Sequence, residues 1–238
     1  MRWLSAAALM LAPVAAQAQS LACSVPDRIP VPRLEQPRRG DPVRKPPITG
    51  YLLSMSWSPQ HCAGVRNPRD ARDGFQCSGK QGRFGWVLHG LWPETNTPGY
   101  PQWCRPAKIV PQPVLKKHLC MTPSAQLLQH EWAKHGTCMS PHPAAYFRAA
   151  EILFRTVRFP DMKRLAAKPQ TAGSVRRAFA GINPGWKESM IAVGTDRDGW
   201  LDEVRLCLGP RMRPQACKSF QKGVADRRSV RIRPMPGG

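Results

Sequence analysis

The period of apolar and polar positions changes several times along the chain, and each change marks an element. "GYLLSMSWSP", residues 50–59, alternates as a strand that ends at Pro59. "GRFGWVLHGLWP", residues 82–93, reads as a second strand bounded by Gly82 and Pro93. In "PSAQLLQHEWAKHG", residues 123–136, the spacing becomes helical; Pro123 and Ser124 suit the start and Gly136 suits a C-terminal cap. "PAAYFRAAEILFRTV", residues 143–157, spaces its apolar side chains as a core-packing helix, and "TAGSVRRAFAGI", residues 171–182, reads as another. "ESMIAVGTDRDGWLDEVRLCL", residues 188–208, reads as two strands around the turn "DRDG". Strands and helices do not strictly alternate, so the expected class is α+β, a central antiparallel sheet packed by helices. No internal repeat is visible.

The flanks of this patterned region differ from it. Residues 1–18, "MRWLSAAALMLAPVAAQA", carry one Arg, an apolar run and then Ala16-Gln17-Ala18, the pattern of a secretory signal peptide cleaved near Ala18. The run is short and no stop-transfer pattern follows, so no membrane span is expected in the mature chain. Residues 19–49 read as a basic, Pro-rich linker, with seven prolines between Ser24 and Thr49. Residues 222–238 form a basic tail, and both flanks are expected to move in solution. The folded domain is therefore placed at residues 50–221.

Charge and cysteine content narrow the function. Lys and Arg total 36 against 15 acidic residues, a net charge of +21, which favours a polyanionic partner such as nucleic acid, lipopolysaccharide or an anionic membrane. The bland alternative is the solvated surface of an exported protein. All eight cysteines lie beyond the signal segment, and in an oxidising compartment an even count suggests four disulfides. No C-x-x-C pair occurs, which argues against a zinc knuckle and a thioredoxin-like site. Spacing alone fixes no pairing.

The chemistry concentrates in "HEWAKHGTC", residues 130–138. A zinc-protease helix would read H-E-x-x-H, with two histidines four apart on one face. Here His135 follows His130 by five, which on an α-helix leaves the two rings roughly 140° apart. Glu131 and His135, at i and i+4, are the pair that shares a face, with Lys134 beside them. A second segment, "VLHGLWPE" at residues 87–94, brings His89 next to Gly90, which allows close backbone approach, and next to Trp92. Taken alone, His89 could equally be a satisfied core histidine.

Together, "HGLWP" and "HEWAKHGTC" resemble the two active-site segments of the ribonuclease T2 family; "SWSPQHC" upstream and "EVRLCL…PQAC" downstream are similar too. The resemblance runs from about Tyr51 to Cys217 and leaves out the linker and the tail. It implies a disulfide-bonded α+β endoribonuclease that uses no metal and no cofactor. RNA would be the substrate, cut through 2′,3′-cyclic phosphates to 3′-phosphate ends with low base specificity. By this resemblance His89 and His135 are the two catalytic histidines, Glu131 the catalytic carboxylate, and Lys134 and His130 the groups that stabilise phosphate charge; the sequence leaves open which histidine is base and which is acid, and His135 is assigned as base and His89 as acid. Trp92 matches the base-stacking platform, Glu94 an acidic residue that hydrogen-bonds a purine in some members, and Tyr100 a second aromatic. His61, His118 and His142 match no catalytic position. The resemblance also implies the bridges Cys62–Cys77, Cys104–Cys138 and Cys207–Cys217, which leaves Cys23–Cys120 as a plausible fourth. A further bridge found in many eukaryotic relatives, from the hairpin's first strand to the C-terminus, has no cysteines here.

The expected protein is thus an exported monomer, periplasmic or extracellular, with no stable DNA binding. Two readings from other classes compete. A zinc hydrolase would use the near-miss helix and the spare histidines and would be silenced by a chelator. A non-enzymatic module would coat RNA or membranes through its charge and would keep binding after both histidines were lost.

Overall fold

The computed structural model describes residues 20–67, 70 and 73–236. The expected signal peptide lies outside the described residues. The strands are β1 (Ser20–Cys23), β2 (Gly50–Trp57), β3 (Gly82–Phe84), β4 (Trp86–Glu94), β5 (Gln170–Thr171), β6 (Ile191–Thr195), β7 (Leu201–Leu208) and β8 (Ser229–Val230). The α-helices are α1 (Ser58–Ala63), α2 (Gly74–Cys77), α3 (Gln112–His118), α4 (Ala125–Glu131), α5 (Thr137–Met139), α6 (Pro143–Thr156), α7 (Met162–Ala166) and α8 (Ala172–Ile182). A π-helical turn, Trp132–Gly136, joins α4 to α5.

Four antiparallel strands in the order β4-β2-β7-β6 form the central sheet, in agreement with the α+β expectation. Its two faces follow from the period-2 alternation of β2. Leu53, Met55 and Trp57 join Val204, Leu206, Ile191 and Val193 in one core with Phe147, Phe154 and Phe179 of α6 and α8. Ser54 and Ser56 point the other way, toward Glu203 and His89. One face is therefore sealed by helices and the other carries polar chemistry.

β4 is an edge strand, and its free backbone groups are covered rather than left as a pairing template. Leu88 N donates to Met121 O at 2.9 Å, Thr122 Oγ1 donates to Leu88 O at 2.8 Å, and the Tyr146 hydroxyl donates to Leu91 O at 3.1 Å.

Both flanks differ from the expected mobile segments. The 24–49 stretch lies on the domain: Ile29 is buried, Arg44 and Gln102 exchange two backbone hydrogen bonds, and Arg33 N donates to Gln126 Oε1 at 2.8 Å. Its prolines disfavour regular secondary structure but permit an extended strap, held by side chains. The tail continues as β8 against β5; Val230 and Ile232 are buried, and Arg231 and Arg233 stack over Trp200. Two alternating apolar residues among the arginines suffice to dock it.

All eight cysteines are paired, as Cys23–Cys120, Cys62–Cys77, Cys104–Cys138 and Cys207–Cys217. Cys23–Cys120 ties the start of the strap to the loop after α3. Among the described residues no helix is long and apolar enough to cross a membrane.

Candidate active site

A β-bulge aims His89. Across β2 and β4, Ser54 faces Gly90 and Met55 faces Leu88, so His89 is the extra residue with no partner opposite. A bulge bends the strand and re-aims a side chain. Leu88 and Leu91, three apart, consequently both enter the core, while His89 and Trp92 emerge on the polar face. Gly90 is required beside the bulge because a Cβ there would overlap the Glu131 carboxylate and the Trp92 indole nitrogen.

Glu131 and His135 come from α4 and the π turn. Ser124 caps α4, its side chain accepting from Leu127 N. The expected α-helix continues only to Glu131; Thr137 N–H then reaches back to Trp132 O, an i→i+5 bond. Gly136 is not a left-handed cap, since its φ is −62°. Its missing Cβ instead admits Trp132 and Tyr146. The turn is pinned by Cys104–Cys138 and by Trp103 N, which donates to Lys134 O at 2.8 Å.

These elements converge. Trp92 Nε1 donates to Glu131 Oε2 at 2.8 Å, and Glu131 Oε1 lies 3.7 Å from His89 Nε2. The Trp92 ring meets His89 edge-on at 5.2 Å and stacks on His135 at 5.4 Å, with Tyr100 on His135 at 5.6 Å. Glu131 and His135 are buried, whereas His89, Trp92 and Tyr100 are half-buried. Nδ1 of His135 is buried without a hydrogen-bond partner among the described residues.

The two imidazoles are pushed in opposite directions. Burial drives His135 well below the usual histidine value, and the neighbouring Lys134, His130 and His89 charges push the same way. Burial also acts to lower His89, but a hydrogen bond to Glu203 and the charges of Glu131, Glu203 and Asp202 outweigh it, and its value is raised. Burial lifts Glu131 to about 7 against the pull of His89, Trp92 and Lys134. The two shifts favour an uncharged imidazole at His135 and a charged one at His89.

The remaining candidates divide. Lys134 Nζ lies 3.5 Å from Asp41 Oδ2, and His130 Nδ1 lies 3.5 Å from Glu35 Oε2, so the strap supplies an acidic partner to each. Arg44 of the strap sits over the Tyr100 ring at 5.1 Å. Glu94 is buried, and its carboxylate accepts from Gln221 Nε2 at 3.1 Å. That contact occupies an oxygen expected to read a purine. His118 is buried against Glu151 and Phe147, His61 pairs with Asp73, and His142 is exposed at the start of α6. Glu203, whose Oε2 lies 3.2 Å from His89 Nδ1, is absent from the sequence-based candidates. The alternation of "LDEVRLCL" placed it on the face opposite Val204 and Leu206, which was the available signal. Among the described residues no group of three or more His, Cys, Asp or Glu side chains is placed to hold a metal ion.

Comparison with known proteins gives the family. The model of the "Ribonuclease T2 family" matches residues 48–176. A "Probable ribonuclease" of Haemophilus influenzae is 35% identical over 186 residues, covering 74% of this chain and 63% of that protein. The chain thus spans less than two thirds of that relative's length. A "Ribonuclease" of Aeromonas hydrophila is 42% identical over 165 residues, 66% of this chain and 70% of that one. Among solved structures, trichomaglin, an S-like ribonuclease, aligns with a TM-score of 0.63 at 18% identity, covering 80% of this chain and 100% of its own. RNase NT in complex with 5′-AMP aligns at 0.60 and 21%, with the same coverages. A match across more than half the sequence, a 42% identical relative and a shared fold lead to one conclusion: this chain belongs to the ribonuclease T2 family.

Proposed function

We propose that the protein is an endoribonuclease that cuts single-stranded RNA by attack of the ribose 2′-OH on the adjacent phosphodiester, leaving a 2′,3′-cyclic phosphate that water then opens to a 3′-phosphate. One observation carries this reading: two histidines from separate elements flank the same indole, with ionisation shifted in opposite directions. Transesterification needs a neutral base for the 2′-OH and a charged acid for the departing 5′-oxygen, the states toward which the opposite shifts push His135 and His89. In the second step the roles reverse: His89 takes a proton from water and His135 returns one to the 2′-oxygen.

Glu131 supports the charged imidazole of His89 and, in its protonated form, offers a hydrogen to a phosphorane oxygen. Lys134 adds positive charge beside the phosphate and His130, which burial holds below the usual histidine value, offers a ring N–H; both are preorganised contributions that water would have to reorient to match. Trp92 and Tyr100 give a base an aromatic surface; stacking of this kind tolerates any base and is worth about 1–3 kcal/mol. With Glu94 tied to Gln221, base preference is weak. DNA lacks the nucleophile and is not a substrate. The chain acts as a monomer after export to the periplasm or medium, with the N-terminal 18 residues removed; four disulfides support an oxidising address.

Digestion of homopolymeric RNAs in the presence of a chelator, with identification of the termini, tests the proposal. Cyclic or 3′-phosphate ends on every homopolymer, with DNA intact, are expected. Products bearing 5′-phosphates, or activity abolished by the chelator, would contradict it.

A further inference from the structure

We propose that Glu203 is a positioning residue for His89, holding its Nδ1–H so that Nε2 faces the reacting phosphodiester. The inference rests on the ribonuclease reading above and adds a residue to it.

The strand register explains how a side chain two strands away reaches the imidazole. Ser56 of β2 lies opposite Glu203 of β7 and Ser54 opposite Arg205, while on its other edge β2 meets β4 at the His89 bulge. Between Glu203 and His89 the polar face therefore carries only two serines. Their small side chains leave room for the carboxylate to cross β2, and both are used. Ser54 Oγ donates to Glu203 Oε2, the oxygen that lies 3.2 Å from His89 Nδ1, and Ser56 Oγ lies 3.3 Å from the same nitrogen. The other carboxylate oxygen, Oε1, is 3.2 Å from Arg205 Nε. Glu203 is thus held by Ser54 at Oε2 and faces the Arg205 charge at Oε1.

This arrangement decides the tautomer. A histidine whose Nδ1 is bound to a carboxylate presents its other nitrogen for chemistry, and here Nε2 points to the Glu131 side, where it lies 3.7 Å from Oε1. The two carboxylates are not equivalent. Burial acts to raise both, but the His89 and Ser54 hydrogen bonds and Arg205 bring Glu203 below the ordinary glutamate value, whereas Glu131 stays near 7. Glu203 is the permanent anion of the pair. The titratable groups that act on His89 are Glu131 from α4, Glu203 and Asp202 from β7, and His130 and His135 from α4 and the π turn.

The test uses Glu203→Gln and Glu203→Asp in the full chain, with two readouts. In E203Q the NMR titration of the His89 ring is expected to move to lower pH. The alkaline limb of the kcat–pH profile moves with it, the acid limb set by His135 stays in place, and kcat falls on the order of 10-fold to 100-fold with KM within twofold. E203D, which keeps the charge on a shorter stem, recovers part of both and also serves if E203Q does not fold. A wild-type chain that cuts no RNA overturns the ribonuclease reading. A wild-type chain that cuts RNA while His89 titration and the alkaline limb ignore the substitution overturns the role of Glu203 alone.

Discussion

Trp92 donates its indole N–H to Glu131 at 2.8 Å while its ring lies against both His89 and His135. One side chain thus joins the two segments that carry the proposed chemistry, and it does so through the gap left by Gly90. Gly90→Ala is expected to push the Glu131 carboxylate aside and break the Trp92 bond. A misplacement of about 1 Å costs on the order of 100-fold in rate. Steady-state kinetics on a dinucleotide substrate should show kcat falling by that order, with the far-ultraviolet circular dichroism unchanged.

Glu131 should be costly to the fold. Its folded value near 7 lies above the ordinary 4.5, so between those values the native state holds a proton that the unfolded chain has lost. Stability therefore falls as pH rises through that window, by about 3 kcal/mol for one group shifted this far. Glu131→Gln removes the penalty. Urea melts at pH 4.5 and pH 8 should show a stability advantage for E131Q that is absent at the lower pH and present at the higher, alongside lost activity.

The pH dependence of cleavage follows from the histidines. The acid limb belongs to His135, lowered, and the alkaline limb to His89, raised. The kcat/KM profile is expected to be a broad bell whose plateau includes pH 6.5, the ordinary imidazole value. A sharp optimum with both limbs within the plateau region would show that the shifts are absent.

The Cys104–Cys138 bridge spans a sequence separation of 34 and anchors the π turn to the loop after β4. In the chain-entropy model such a loop is worth about 4 kcal/mol. Replacing both cysteines by alanine should lower stability by that order and slow cleavage more than removing Cys207–Cys217, which closes a loop of separation 10 at the far end of β7. Paired melts and rates of the two double variants measure the difference.

Salt separates capture from chemistry. With a net charge of +21, binding to RNA releases counterions, so raising ionic strength should increase KM and leave kcat nearly constant. A KM independent of salt would assign the basic surplus to another role.

Much of this was legible in the sequence. The alternation of β2 and the helical spacing of residues 143–157 gave the layers, and the two histidine segments gave His89, Glu131 and His135. The π turn was not legible, because "WAKHG" suits an α-helix equally well until Gly136 is seen admitting Trp132 and Tyr146. Glu203 was hidden because a strand's polar face reads as solvent-facing until the neighbouring strands are known. The strap escaped for a different reason: Pro-rich sequence does disfavour regular structure, yet Asp41 accepts from Gln102 and Trp103 and pairs with Lys134, anchoring it through side chains. Composition speaks to backbone regularity and is silent on such docking.

The account turns on His89 and His135 handing protons to and from one phosphodiester. The most direct measurement is single-turnover kinetics of His89→Ala and His135→Ala, following RNA cleavage and the opening of a synthetic 2′,3′-cyclic nucleotide separately. Each variant is predicted to lose both steps, on the order of 100-fold or more. Wild-type rates for either step in either folded variant would contradict the account.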